Sequence, residues 1–217
     1  MQRNPILNVE TDIILNDDLQ TGDIIMCHSS SEDSPIDKLI EGATHSPWEH
    51  TGIIIRDPWW LGPNKEGLYI LQSGSGPNGY PDVIDGGVSG VTINNLDDFL
   101  CNRINIYVMR FSGSVWNSAN KKRFAESFEE AHGKPYDKNV CRWLCVGISS
   151  FLRCKCFASK VVPRQTKEFW CSALVAFIYV KNGWLPEDMD WSCQTPADII
   201  KWKVTQGNTL EQPRRLK

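Results

Sequence analysis

The chain has 217 residues, and 23 Lys and Arg stand against 26 Asp and Glu, giving a formal net charge of −3. Apolar residues make up 41% and charged residues 23%, which are ordinary values for one globular domain and exclude wholesale disorder. The small negative charge, without any block of basic residues, argues against a protein that binds nucleic acid through its phosphates.

In the first half of the chain, short apolar runs alternate with turn signals. Residues 1–20 are polar and predict an N-terminal arm, and Pro35 opens a short predicted helix over residues 35–42. Residues 73–90 are rich in glycine and predict a long surface loop. Strands are predicted at four runs, namely residues 23–28, 51–56, 68–72 and 104–110.

In the second half, helical patterns dominate. Residues 117–132 predict a helix because Phe124 and Phe128 are four positions apart among polar neighbours. Residues 171–182 predict a strongly apolar helix that ends at Gly183. The order predicts an α+β fold with one catalytic domain over residues 21–203, a Cys-rich insertion or lid over 138–168 and a polar tail over 204–217.

Eight cysteines are the unusual feature of the composition. The N-terminus has no long apolar segment of the signal-peptide type, and the apolar stretches at residues 143–152 and 173–180 are far shorter than the ~20 residues that span a bilayer. We therefore expect a cytoplasmic protein whose thiols are mostly free, rather than a disulfide framework.

Cys171 is distinguished from the other cysteines by its position at the start of the apolar helix. The first N–H groups of a helix are unpaired and carry positive potential, which favours a thiolate and can stabilise an oxyanion. The small residues Ser172 and Ala173 follow and leave room for a substrate. A capping or core thiol is the alternative interpretation of the same position.

A cysteine nucleophile needs a base within hydrogen-bond reach, and the candidates are His28, His45, His50 and His132. We favour His50, which directly precedes the predicted strand 51–56 and can project from the end of a sheet. Gln72 on the next strand can accept the imidazole N–H and fix the tautomer; a solvent-facing glutamine is the alternative.

Five segments together resemble the circularly permuted papain-like families of the NlpC superfamily, which include the lecithin:retinol acyltransferase-like proteins. The segments, which fall within residues 20–203, are Gly22-Asp23-Ile24-Ile25, His50-Thr51-Gly52-Ile53, Gly133-Lys134-Pro135-Tyr136-Asp137, Trp170-Cys171-Ser172-Ala173 and Thr195-Pro196-Ala197-Asp198. As in the permuted order, the histidine strand precedes the cysteine helix.

The resemblance implies a thiol hydrolase or acyltransferase without cofactor or metal ion, built as an antiparallel sheet or small barrel packed against the nucleophile helix. It implies Cys171 as nucleophile, His50 as base and Gln72 as the third polar residue, where many relatives carry Glu or His. Tyr136, in the segment before the cysteine helix, is expected to line the site or donate a hydrogen bond to the substrate.

Tryptophans near the site predict the substrate class. Trp48 and Trp170 flank the proposed base and nucleophile in sequence, and an aromatic mouth suits the acyl chain of a lipid ester or amide. The apolar segment 143–157 lies between basic residues, which favours a lid or a peripheral membrane contact; a core helix is the alternative. Peptide or isopeptide amides are the second substrate class.

Two alternatives belong to other classes of protein. Four cysteines, Cys141, Cys145, Cys154 and Cys156, could hold a structural zinc ion in a small interaction module, although their spacing is not the usual paired Cys-x-x-Cys. A catalytically weak binding protein on the same scaffold is the other alternative, and Gln72 is its indication.

Overall fold

The computed structural model describes residues 16–28, 47–63, 65–74, 80–101, 105–113, 116–139, 164–205 and 207–216, with Arg103, Arg142 and Val146. A six-stranded antiparallel sheet forms the centre, in the order β4-β3-β2-β1-β5-β8. Its strands are β1 (Ile24–His28), β2 (Trp48–Arg56), β3 (Leu68–Gly74), β4 (Gly90–Asn95), β5 (Ile106–Met109) and β8 (Arg214–Arg215). A separate short pair consists of β6 (Phe111–Ser112) and β7 (Thr209–Leu210).

Four α-helices lie among the described residues. They are α1 (Leu96–Cys101), α2 (Ser118–Ala131), α3 (Cys171–Lys181) and α4 (Pro196–Ile199). Together with the sheet they confirm the predicted α+β class and the antiparallel pairing. None of these helices has both the length and the apolar character needed to cross a bilayer.

The sheet is apolar on both faces, as its central strand shows. Ile53 and Ile55 of β2 belong to a core that includes α2 and α3. Ile54 points the other way, into a second core with Phe99 of α1 and Leu216 near the C-terminus. A strand covered on both faces is expected to be a continuous apolar run rather than an alternating one, which explains the three consecutive isoleucines.

Helix α3 crosses the first face of the sheet and is buried around most of its surface. Near its start, the Ser73 hydroxyl of β3 donates to the Phe169 carbonyl at 2.7 Å. Near its end, the Tyr179 hydroxyl donates to the Gly22 carbonyl, just before β1, at 2.5 Å. The helix therefore begins over the C-terminal end of β3 and ends over the beginning of β1.

Several elements differ from the prediction, among them the surface loop predicted over residues 73–90, whose ends at Ser73, Gly74 and Gly90 belong to β3 and β4. Strand β2 begins at Trp48, so His50 lies within the strand rather than before it. Strand β4 was not predicted, because Thr92 and Asn94 interrupt its apolar pattern with polar side chains that prove to be buried. The predicted polar tail contributes β7 and β8 and buries Leu216.

Several predictions fall on residues that the structure does not describe. These are most of the arm 1–20, the helix over residues 35–42, His45, the four cysteines of the zinc alternative, and the apolar segment 143–157 apart from Val146.

Candidate functional site

His50 and Gln72 lie next to each other on neighbouring strands. In the register of β2 and β3, Gln72 is opposite Gly52, so its side chain reaches His50 along the diagonal. The ring Nε2 of His50 lies 2.7 Å from Oε1 of Gln72, a hydrogen-bond distance. The structure therefore brings together two of the three predicted catalytic residues.

Beyond Gln72 the hydrogen bonds continue across the sheet. The Gln72 Nε2 group donates to Oδ1 of Asn94 at 2.8 Å, and the Thr92 hydroxyl donates to the same oxygen at 2.9 Å. The Asn94 Nδ2 group in turn donates to the carbonyl oxygens of Tyr80 and Pro81, at 2.7 and 2.9 Å. The sequence reasoning did not identify Asn94. The signal that could have found it is the alternation of polar Thr92 and Asn94 with apolar Val91 and Ile93.

The His50 ring is held in its neutral form. The pKa of His50 is lowered to about 3, mainly by burial of the ring and also by the Arg103 guanidinium, while the hydrogen bond with Gln72 opposes both effects. The Phe99 ring packs nearby, with 6.2 Å between the ring centroids. An imidazole in this setting is uncharged at neutral pH.

Cys171 is the first residue of α3, as predicted, and is 4% exposed. Trp170 is the N-cap residue, and its side chain makes no capping hydrogen bond to the helix. The start of a helix carries positive potential, which favours a thiolate. The residue two before Cys171, Phe169, is held by Ser73 of β3.

Helix α3 and the His50 ring lie at the same end of β3, on different sides of the sheet. Ser73 contacts the segment that enters α3, and the preceding residue, Gln72, contacts His50. Because neighbouring side chains of a strand point to opposite faces, α3 packs on one face of the sheet and the His50 ring projects from the other. The contact of His50 with Phe99, a member of the second core, agrees with this placement.

A second thiol, Cys27, lies on the same face as His50. Its Cα is directly opposite that of His50 in the pairing of β1 with β2. The side chain is 1% exposed, and burial raises the pKa of the Cys27 thiol to about 11, although the Arg103 guanidinium lowers it. The sequence reasoning passed over this cysteine because the partner of β2 across the sheet was not known.

The predicted substrate-binding residues lie in three different settings. Tyr136 forms a parallel bridge with Phe169, which places its segment beside the chain that enters α3. Trp170 is 7% exposed, and its indole N–H donates to the Gln194 carbonyl at 3.0 Å, so it is a packing residue. Trp48 is partly buried and meets Tyr107 edge-on at 5.2 Å between centroids.

The described residues contain no group of three or more His, Cys, Asp or Glu arranged to hold a metal ion. The cysteines that the structure describes, Cys27, Cys101, Cys171 and Cys193, form no disulfide bond.

No family model matches this chain, and no curated protein matches it. Among solved structures, the chain is similar to the metalloprotein YiiX of Escherichia coli O157:H7, with 23% sequence identity and a TM-score of 0.45. The match covers 75% of this chain and 66% of YiiX, so the chain spans slightly less than two thirds of that protein. Likeness at this level carries no information on which residues react.

Proposed function

We propose that the protein is a thiol-dependent hydrolase or acyltransferase that acts on an acyl ester or amide bond, on a permuted papain-like scaffold. Cys171 is the nucleophile, His50 the base and Gln72 the residue that orients the base. The observation that carries the proposal is the 2.7 Å contact between His50 Nε2 and Gln72 Oε1, at the end of β3 over which the Cys171 helix begins. An amide-oriented imidazole and a thiol at a helix start are the parts that cysteine acyl transfer requires.

The reaction has two steps. The Cys171 sulfur attacks the carbonyl carbon, its proton passes to His50, and the imidazolium returns that proton to the leaving group as the acyl-enzyme forms. Water or an acceptor alcohol or amine then attacks the thioester and regenerates the thiol. The N–H groups at the start of α3 stabilise each oxyanion, and one such donor is worth on the order of 3 kcal/mol.

The proposed mechanism requires a contact between groups that lie on opposite faces of the sheet. The thiol and the imidazole must come within hydrogen-bond reach around the end of β3, where β2 and β3 are no longer paired beyond Gly52 and Gln72. The proposal therefore includes a closer approach of Cys171 to His50 when substrate binds.

The proposed substrate is an acyl lipid, and peptide or isopeptide amides are the second class. The partly buried Trp48 and Tyr107 form an aromatic surface near the start of β2 that suits an acyl chain. Peripheral binding of the protein to the cytoplasmic face of a membrane would bring it to such a substrate.

Cys27 is the second candidate nucleophile, because it is the thiol placed directly opposite His50. Its raised pKa is typical of an unreactive core thiol. A binding protein without catalysis is the remaining alternative, and it requires no reactive thiol.

A thiol-reactive probe of the iodoacetamide type separates these possibilities by measured labelling rates at each cysteine. We expect one fast site, Cys171, and a fall in its labelling rate of about 10²-fold or more in His50→Ala, since general-base assistance contributes 10²–10⁴-fold. Exposed Cys101 gives the rate of an ordinary thiol, and Cys193→Ala is the control for loss of a buried thiol.

The same variants are then assayed against a series of acyl esters of increasing chain length. Turnover that is lost in Cys171→Ala and kept in Cys193→Ala supports the assignment. Loss in Cys27→Ala with full turnover in Cys171→Ala would transfer the role to Cys27. Equal labelling rates at all cysteines, together with no turnover, would exclude both nucleophiles and support the binding protein without catalysis.

A further inference from the structure

The hydrogen bonds that begin at His50 end on two backbone carbonyl groups outside the sheet. From this arrangement we infer that Asn94 is a positioning residue: through Gln72 it fixes His50 as the Nε2–H tautomer and leaves Nδ1 as the proton acceptor. The inference adds a residue to the site and assigns the ring nitrogen that accepts a proton. The role of that nitrogen in catalysis rests on the proposed function, whereas the assignment of the tautomer does not.

The first step concerns the orientation of the Asn94 amide. Nδ2 lies 2.7 Å from the Tyr80 carbonyl oxygen and 2.9 Å from the Pro81 carbonyl oxygen. Carbonyl oxygens can only accept hydrogen bonds, so the amide must present its NH₂ group to them. If the amide were flipped, its oxygen would face two carbonyl oxygens without a hydrogen bond, which is unfavourable because the Asn94 side chain is fully buried. The oxygen of Asn94 therefore faces β3.

The second step follows from that oxygen. Because Asn94 Oδ1 can only accept, the Gln72 group 2.8 Å away must be its NH₂ group. Gln72 then presents its own oxygen to His50, at 2.7 Å from Nε2. Thr92 does not decide the direction, since a hydroxyl can donate or accept.

The third step assigns the proton on the ring. An amide oxygen 2.7 Å from a ring nitrogen requires that this nitrogen carry the hydrogen, so Nε2 is protonated in the neutral imidazole. Since burial keeps the ring neutral, Nδ1 holds the lone pair. In the proposed reaction Nδ1 is then the atom that receives the thiol proton, and a ring of the other tautomer would present an N–H to the thiol instead.

The test is nitrogen NMR of the protein labelled with ¹⁵N in its histidine rings, which distinguishes a protonated from an unprotonated ring nitrogen. For His50 we expect a protonated Nε2 and an unprotonated Nδ1 at pH 7. In Asn94→Leu the Gln72 amide is free to rotate, so the two resonances should move toward each other as both tautomers become populated.

Two further variants separate positioning from stability. Asn94→Asp keeps an oxygen facing Gln72 and loses the donor to the carbonyl groups, so it should destabilise the fold and leave the His50 tautomer unchanged. Asn182→Leu is the matched control, since Asn182 is another buried amide that donates, to Ser127 and the Ile178 carbonyl, in the helical layer. It should also lower stability without moving the His50 resonances.

The labelling rate of Cys171 gives the functional readout. A wrong tautomer can cost up to about 10⁴-fold in a related type of site, and with a mixture we expect a loss of about 10-fold or more in Asn94→Leu but not in Asn94→Asp. A protonated Nδ1 in the unsubstituted protein, or an unchanged tautomer in Asn94→Leu, would overturn the inference. If the tautomer shifts while Cys171 labelling does not, the inference stands and the proposed function fails.

Discussion

At the residue scale, His50 couples the site to the pH of the surroundings. The pKa of His50 is 6.5 in an unfolded chain and about 3 in the folded protein, mainly because burial disfavours the charged ring. The unfolded chain therefore binds a proton at His50 between these two values, whereas the folded chain does not. This residue contributes stability that is present above pH 6.5 and is lost as the pH falls.

We predict that His50→Gln flattens this acid dependence, because the replacement can still donate to Gln72 but does not titrate. Between pH 7 and pH 5 the free energy of unfolding should fall by up to about 2 kcal/mol more in the unsubstituted protein than in the variant. Urea titrations at the two pH values measure this difference. Parallel pH profiles of the two proteins would contradict the prediction.

The sequence predicted Gln72 as the partner of His50, because the two residues were expected on adjacent strands and an amide can orient an imidazole. It did not predict on which face of the sheet His50 lies. The run Ile53-Ile54-Ile55 is apolar at both odd and even positions, so it does not distinguish the two faces, and the strand was expected to begin after His50. A strand with one polar face would have resolved this by its alternation.

At the element scale, Asp82 joins strand β4 to the end of helix α2. One of its carboxylate oxygens accepts from the Ile93 N–H at 2.8 Å and lies 3.0 Å from His132 Nε2. The hydrogen bond with Asp82 raises the pKa of His132, and the His132 ring also stacks on Phe128 at 5.0 Å between centroids. Because the folded pKa is raised, this contribution to stability is complete below pH 6.5 and is lost as the pH rises through the folded value.

We predict that His132→Phe, which keeps a ring against Phe128, costs about 1–2 kcal/mol at pH 5.5 and less at pH 8.5. At the lower pH the substitution removes a hydrogen bond between charged groups, and at the higher pH a larger fraction of the imidazole has lost its proton. Urea unfolding at the two pH values measures both costs, with Asp85→Asn as the control for a nearby exposed carboxylate. An equal cost at both pH values would show that only packing is involved.

Helices α2 and α3 were predictable because their patterns are long and local. Phe124 and Phe128 lie on one face of α2, and Gly183 follows the last turns of α3. Strand β4 and the two-residue strands near the C-terminus were not predictable in this way. Their stability comes from partners far along the chain, such as the pairing of Arg214 with Val108.

At the scale of the whole molecule, the edge of the sheet and the helical layer meet at Gly90. Its φ is +90°, and a Cβ placed on it would lie 2.4 Å from the Lys134 carbonyl oxygen. The Val91 N–H donates to that same oxygen at 2.8 Å, and the Gly133 N–H donates to the Val91 carbonyl at 3.0 Å. Close backbone contact at this point attaches the segment after α2 to β4.

We predict that Gly90→Ala destabilises the protein much more than Gly86→Ala. Both glycines have positive φ, but a Cβ at Gly86 meets no atom within 4 Å. The strain of the backbone costs about 1–2 kcal/mol at either site, and the clash at Gly90 adds about 1–3 kcal/mol. Thermal and urea unfolding of the two variants give the comparison, and equal losses would mean that the sheet edge moves aside without cost.

Adjacent positions on β3 serve opposite sides of the sheet, Gln72 for the imidazole and Ser73 for the chain that enters α3. Because the two side chains share no hydrogen-bond partner in these contacts, we expect point substitutions at the two positions to have nearly additive effects on the free energy of unfolding, with a small coupling energy in a double-mutant cycle. Insertion of one residue after Leu71 would act differently, because it exchanges the two sides for every later residue of the strand. Evolution can thus vary each contact separately by substitution, whereas a change of length in β3 alters both at once.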